Sequence, residues 1–226
     1  MRYSIVTLLL VCAVAACAQT SNAPAPFVQA VGQGVVAVQP DEVKIDFSVV
    51  TTAASAQHAA SQNAAQTTAL IAALQGLLGS KGNVQTIGYS LNPNYNYPPN
   101  GTPVLIGFTA SNTVEISATD LSMAGTIIDT GVQAGANTVQ SLQFTLQNPA
   151  PAQQQALKAA TAEAKSNADA MASGVGMHSG AVLSIEENVS TSVTPVSVAP
   201  AANTTPVLPG LVNIQATVTL MVALTN

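Results

Sequence analysis

Val43, Ile45, Phe47 and Val49 alternate with Lys44, Asp46 and Ser48. That period of two marks a strand with one buried face. The same alternation runs through the last segment, where Val212, Ile214, Ala216, Val218, Leu220, Val222 and Leu224 take turns with mostly polar partners. At about 3.3 Å per residue, this segment predicts a strand of roughly 43 Å. Apolar runs over 84–91, 104–118, 139–146 and 182–189 predict further strands. Val35, Ala37 and Val38 precede Pro40-Asp41, a turn signal, so the runs on either side of it are expected to form a strand pair.

Elsewhere the period becomes helical. Residues 53–78 predict a helix closed by Gly79 or Gly82. A shorter helix is expected over 120–132, capped by Thr119 or Asp120. Asn148-Pro149 opens a long helix to about residue 173, with Asn as cap and Pro in the first turn. The stretch NPNYNYPPNGTP (92–103) is loop chemistry throughout, and the Pro/Ser/Thr/Val-rich stretch over 190–210 predicts an extended loop. Most strands show one buried face, and several links between strands are short. The expected fold class is therefore α+β: a largely antiparallel sheet with two long Ala-rich helices and one shorter helix packed on one face.

Small residues recur every fourth position in both long helices. Ala152, Ala156, Ala160, Ala164, Ala168 and Ala172 form one row; Ala56, Ala60, Ala64, Thr68 and Ala72 form the other. Such a ridge lets a helix approach its neighbour closely, as a seam between helices or subunits would need. Alanine's high helix propensity accounts for the same pattern without any assembly.

Composition narrows the classes of partner. Apolar residues make up 48% of the chain but charged ones only 7%, against roughly 25% in ordinary soluble proteins. Gln, Asn, Ser and Thr must wet the surface, so self-association meets little electrostatic resistance. Beyond Arg2 the cations are Lys44, Lys81, Lys158 and Lys165. Nucleic acid, anionic lipid surfaces and phosphorylated substrates all need more positive charge than this.

The N-terminus pairs one cation with an apolar run over 5–16 and small residues after it, the pattern of an export signal over 1–18. A tether over 19–27 and a domain over 28–226 follow. Ala16-Cys17-Ala18 fits small-x-small cleavage, while Val14-Ala15-Ala16-Cys17 resembles a lipobox that leaves Cys17 as a lipidated first residue. Both readings stay open. The run is short for a membrane span, and nothing later replaces it. With both cysteines, Cys12 and Cys17, in the leader, the folded part has no disulfide and no Cys-ligated metal.

Candidate chemistry is sparse, and no cofactor is expected. Gly32-Gln33-Gly34 lacks the third glycine and following helix of a dinucleotide loop, so it reads as a bulge, an edge or a close backbone approach. His58 and His178 show no metal-binding spacing, and no G-x-S-x-G elbow occurs. A hydrolase assembled only in three dimensions would need one of these histidines in a cleft beside a carboxylate. Glu186 and Glu187 are strand neighbours on opposite faces, so they cannot act on one atom together. Tyr95 and Tyr97 mark a loop suited to a ligand or partner, or simply a turn with packed aromatics.

The order of several short motifs resembles the bacterial SIMPL-domain family. They are Val31-Gly32-Gln33-Gly34 with Pro40-Asp41, Val84-Gln85-Thr86 with Leu91-Asn92-Pro93-Asn94-Tyr95, and Gly107-Phe108-Thr109-Ala110-Ser111-Asn112. Asp120-Leu121, Gly135-Ala136-Asn137 before Phe144, the Ala-rich helix and Pro206-x-x-Pro209-Gly210 complete the series over about 28–224. The resemblance implies an exported periplasmic or outer-membrane protein of poorly defined role, associated with the cell envelope, stress responses and ring-like self-assembly. It implies no catalytic residues. The expectation is a non-enzymatic envelope protein that forms a homo-oligomer or binds envelope partners, with Cys17 as a candidate lipid anchor. The alternative is a periplasmic binding module for a small apolar or peptide ligand, built on Tyr95, Tyr97 and the stretch over 195–209.

Overall fold

The computed structural model describes residues 25–99, 101–194 and 207–226. Cys17, the export signal, most of the tether and the Pro/Ser/Thr stretch over 195–206 lie outside the described residues. In chain order the elements are β1 (Phe27–Val38), β2 (Glu42–Ala53), α1 (Ala56–Leu78), β3 (Gly82–Asn96) and β4 (Val104–Ala118). A single 3-10 turn (Leu121–Met123) leads into α2 (Ala124–Gln133), followed by β5 (Thr138–Thr145), α3 (Ala150–Gly174), β6 (His178–Thr194) and β7 (Leu211–Thr225).

This is the α+β class, with every pairing antiparallel, but the strands divide into two sheets. The smaller has the order β1-β7-β6 and the larger β3-β4-β2-β5. The expected pairing of the first two strands is therefore wrong. β1 pairs along its whole length with β7, from Phe27 opposite Ala223 to Val38 opposite Val212, whereas β2 lies between β4 and β5. Asp41 explains the redirection. Its carboxylate accepts the Gln147 backbone N–H at 2.7 Å, and its own N–H donates to the Thr145 carbonyl at 3.1 Å. These bonds anchor the turn to the link after β5, carrying the chain from one sheet into the other.

Each sheet has its own helical cover. On the larger sheet, Val43, Ile45, Phe47 and Val49 of β2 are fully buried beneath Leu70 and Leu74 of α1 and Ile127 of α2. Asn63 stitches α1 to that sheet, its amide donating to the Val49 carbonyl at 2.7 Å and the Ala110 carbonyl at 3.2 Å. The buried side of α1 is Ala59, Asn63, Thr67, Leu70, Leu74 and Leu78. Bulky leucines decide which face turns inward, so Ala64, Thr68 and Ala72 of the small-residue row face solvent.

On the smaller sheet the alanine row is the core. All six alanines of the row are buried, and those from Ala152 to Ala168 pack against Val28, Ala30 and the inward residues of β7, from Val212 to Val222. A Cβ built on Gly32 would lie 2.2 Å from both the Ala160 carbonyl oxygen and the Ala164 nitrogen. On Gly34 it would lie 2.1 Å from the Ala156 carbonyl oxygen. The glycine pair and the alanine row are thus two halves of one contact, in which helix backbone rests directly on strand backbone. An i, i+4 row slants about 26° across its helix, and a twisted sheet presents a matching slant.

Two elements extend beyond their predicted limits. β3 continues through Asn96 into the stretch expected to be loop, and β6 spans His178–Thr194 rather than 182–189. Both are edge strands, where one neighbour suffices and no clean alternation is required.

Candidate functional site: an exposed apolar arm

Helix α1 covers the β3–β4 hairpin from its base, where Val84 packs against the larger core, as far as Ala110. Towards the tip it becomes an arm exposed on both faces. Ile87, Tyr89, Tyr95, Val104 and Leu105 are each about half exposed, Ile106 is 65% exposed and Tyr97 72%. The register shifts at Ile87 and again beside Asn94, where Ile106 has no opposite residue. Gly107 follows that bulge with φ 151°, and a Cβ there would sit 2.9 Å from the Ala53 carbonyl oxygen. Glycine thus lets the arm bend past the end of β2. The Asn94 amide donates to the Thr109 hydroxyl at 2.7 Å and ties the two strands together at the bend.

Tyr95 and Tyr97 lie on this arm, with ring centroids 6.4 Å apart and tilted by 55°. Sequence reasoning singled out these two but missed Ile87, Leu105 and Ile106. The available signal was Val104-Leu105-Ile106, an unbroken apolar run too short for a two-sided core and next to a turn. Contiguous exposed apolar surface of this kind offers contact area and no proton transfer.

The other candidates do not come together. His58 sits exposed in the first turn of α1 over the larger sheet, and His178 opens β6 of the smaller one, also exposed. Glu186 and Glu187 stand opposite Thr219 and Val218, on the two faces of the smaller sheet. Asp120 caps the 3-10 turn. The Ser122 hydroxyl, donating to its carboxylate at 2.6 Å, is the main reason its pKa lies below the ordinary value. The Asp169 pKa is lowered too, first by the Ser179 hydroxyl and then by Lys165. A shallow polar cleft of about 190 Å³ lies at the base of the larger sheet, lined by Glu42, Lys81, Asn83, Thr119 and Gln147 among others. Among the described residues no three His, Cys, Asp or Glu side chains converge as a metal site. No described helix is long and apolar enough to cross a membrane.

Comparison with known proteins places the chain among exported and uncharacterized relatives. The chain is 28% identical over 160 residues to the 26 kDa periplasmic immunogenic protein of Brucella melitensis, covering 69% of this chain and 64% of that protein. The match thus spans less than two thirds of the relative. The chain is also 24% identical over 192 residues to the uncharacterized protein YggE of Escherichia coli K12, covering 84% of this chain and 78% of YggE. The family model SIMPL, described as a protein of unknown function (DUF541), matches residues 28–222, and the chain therefore belongs to the SIMPL family.

Proposed function

We propose that this chain is an exported, non-enzymatic protein of the cell envelope that works by self-assembly or by holding envelope partners. The observation that carries the proposal is the β3–β4 arm, a hairpin whose apolar side chains stand in solvent. An isolated domain gains nothing from such an arm; a contact surface does. The near absence of charge supports the same reading, because little repulsion opposes association. Periplasmic naming of the Brucella relative supports export, in keeping with a signal over 1–18 and a tether over 19–27. Lipidation at Cys17 would hold the domain at a membrane surface.

Light scattering of the full chain over a dilution series tests the proposal, with Leu105→Lys/Ile106→Lys as comparison. The wild type is expected to form particles larger than one chain, and the variant to form smaller ones than the wild type while keeping its unfolding midpoint. A wild type that stays a single chain at every concentration, and retains no envelope protein, sinks the proposal.

Tyr95 and Tyr97 favour a second reading, a ligand platform for a small apolar or peptide molecule. Under that reading, Tyr95→Ala/Tyr97→Ala loses a co-purified ligand that the wild type retains.

A further inference from the structure

The two sheets end in four edge strands: β1, β6, β3 and β5. Unprotected edges invite pairing with another chain, and folded proteins usually blunt them. Three of these four are blunted. On β1, the Gln33 N–H donates to the Glu163 carboxylate of α3 at 2.7 Å, and the Val31 carbonyl accepts the Asn167 amide at 2.8 Å. Helix side chains thus occupy the ladder positions a new strand would need. On β3, two register shifts and Pro93 interrupt the edge. β5 is only eight residues long and carries a shift of its own. β6 differs from all three. From Ser184 to Thr194 it pairs with β7 without a break, contains no proline, and among the described residues has no strand on its other side.

The sequence of this edge selects its occupant. Glu186 and Glu187 sit together near its middle, so a pairing centred on them would set carboxylate against carboxylate. Centred instead on Val189, the midpoint of the regular span, an antiparallel pairing of two copies removes that conflict. Glu186 then faces Ser192, Glu187 faces Thr191, Asn188 faces Ser190 and Val189 faces itself. Both carboxylates meet hydroxyls, and every directly opposed pair from 186 to 192 is compatible. Ile185, on the α3 side by its register with Leu220, is 56% exposed in one chain and gains cover from the second. We infer that β6 is an isologous dimer edge, joining two copies about a two-fold axis at Val189 into one six-stranded antiparallel sheet. This deepens the self-assembly reading and rests on it, since it names the partner as a second copy and fixes the register.

Cross-linking tests that register. In the full chain carrying Cys12→Ser and Cys17→Ser, Val189→Cys places two thiols directly opposite, where strand spacing of about 5 Å suits a disulfide. Mild oxidation is expected to give a covalent dimer, whereas Val35→Cys on the blocked β1 edge gives none. Thr191→Glu sets two like-charge pairs across the interface and is expected to weaken the dimer roughly tenfold. Thr191→Lys, facing Glu187 of the other copy, should hold it or tighten it. Large particles that persist without a Val189→Cys cross-link, and with no difference between the two Thr191 variants, overturn this interface while leaving self-assembly standing. A chain that remains single at all concentrations overturns both.

Discussion

Gly32→Ala adds one methyl group where strand backbone lies directly against helix backbone. The new Cβ would lie 2.2 Å from the Ala160 carbonyl oxygen and from the Ala164 nitrogen, against an unstrained separation of about 3.5 Å. All the obstructing atoms are main chain, so no side-chain rotation relieves the clash. α3 must lift from β1 by about 1 Å, and a gap of that size forfeits a quarter to a half of each dispersion contact it opens. The row from Ala152 to Ala172 loses contact together, because the helix moves as a rod. Overpacking in cores costs about 1–3 kcal/mol, and a backbone-on-backbone clash belongs at the upper end, about 3 kcal/mol. Urea unfolding reads this directly. With a slope of about 2 kcal/mol per molar, the midpoint should fall by roughly 1.5 M at constant slope. Gly76→Ala is the internal control, lying in the last turn of α1 with nothing within 4 Å of the added carbon, and should gain up to about 1 kcal/mol. If Gly32→Ala unfolds within about 0.5 kcal/mol of wild type, helix backbone does not rest on that glycine, and the reasoning fails.

Asn63→Ala leaves the Val49 and Ala110 carbonyls without their buried donor and should cost about 2–3 kcal/mol, measured by thermal unfolding. Glu163→Ala/Asn167→Ala strips both side chains from the β1 edge. Light scattering should rise with time while the melting temperature changes little, and an unchanged scattering trace would count against edge protection. Asp169 and Asp120 have folded-state pKa values below the ordinary 3.8, so their contributions are present above it and lost as pH falls through the lowered values. Melting followed from pH 6 to pH 2 should therefore drop on the acid side, with Asp169→Asn showing a shallower decline than wild type.

β2 and β7 are plain in the sequence because each lies between two neighbours with one face on a core, so the pleat imposes a strict alternation. Which strands share a sheet is not carried by alternation. β1 has the same local signature whether its partner is β2 or β7, and the Asp41 bonds that decide the matter reach about a hundred residues along the chain. The glycine pair and the alanine row are each visible alone. Their fit depends on Gly32 lying under Ala160 and Ala164, a register no local pattern encodes. On the arm, the tyrosines stood out as aromatics in a loop. Leu105 and Ile106 did not, because one-sided burial is the default expectation for a strand and these residues depart from it.

The division into two sheets also has a temporal side. β1 lies near the start of the chain, yet its partner is the last strand, so the smaller sheet closes a loop spanning almost the whole sequence. The larger sheet, from Glu42 to Thr145, uses only residues in between. A chain that emerges N-terminus first can therefore complete its middle while β1 waits unpaired, and only the arrival of β7 ends that wait. Until then Phe27, Val31 and Val35 travel on an unclaimed strand, which makes the wait for β7 the step that most exposes this chain to capture by chaperones or by its own copies.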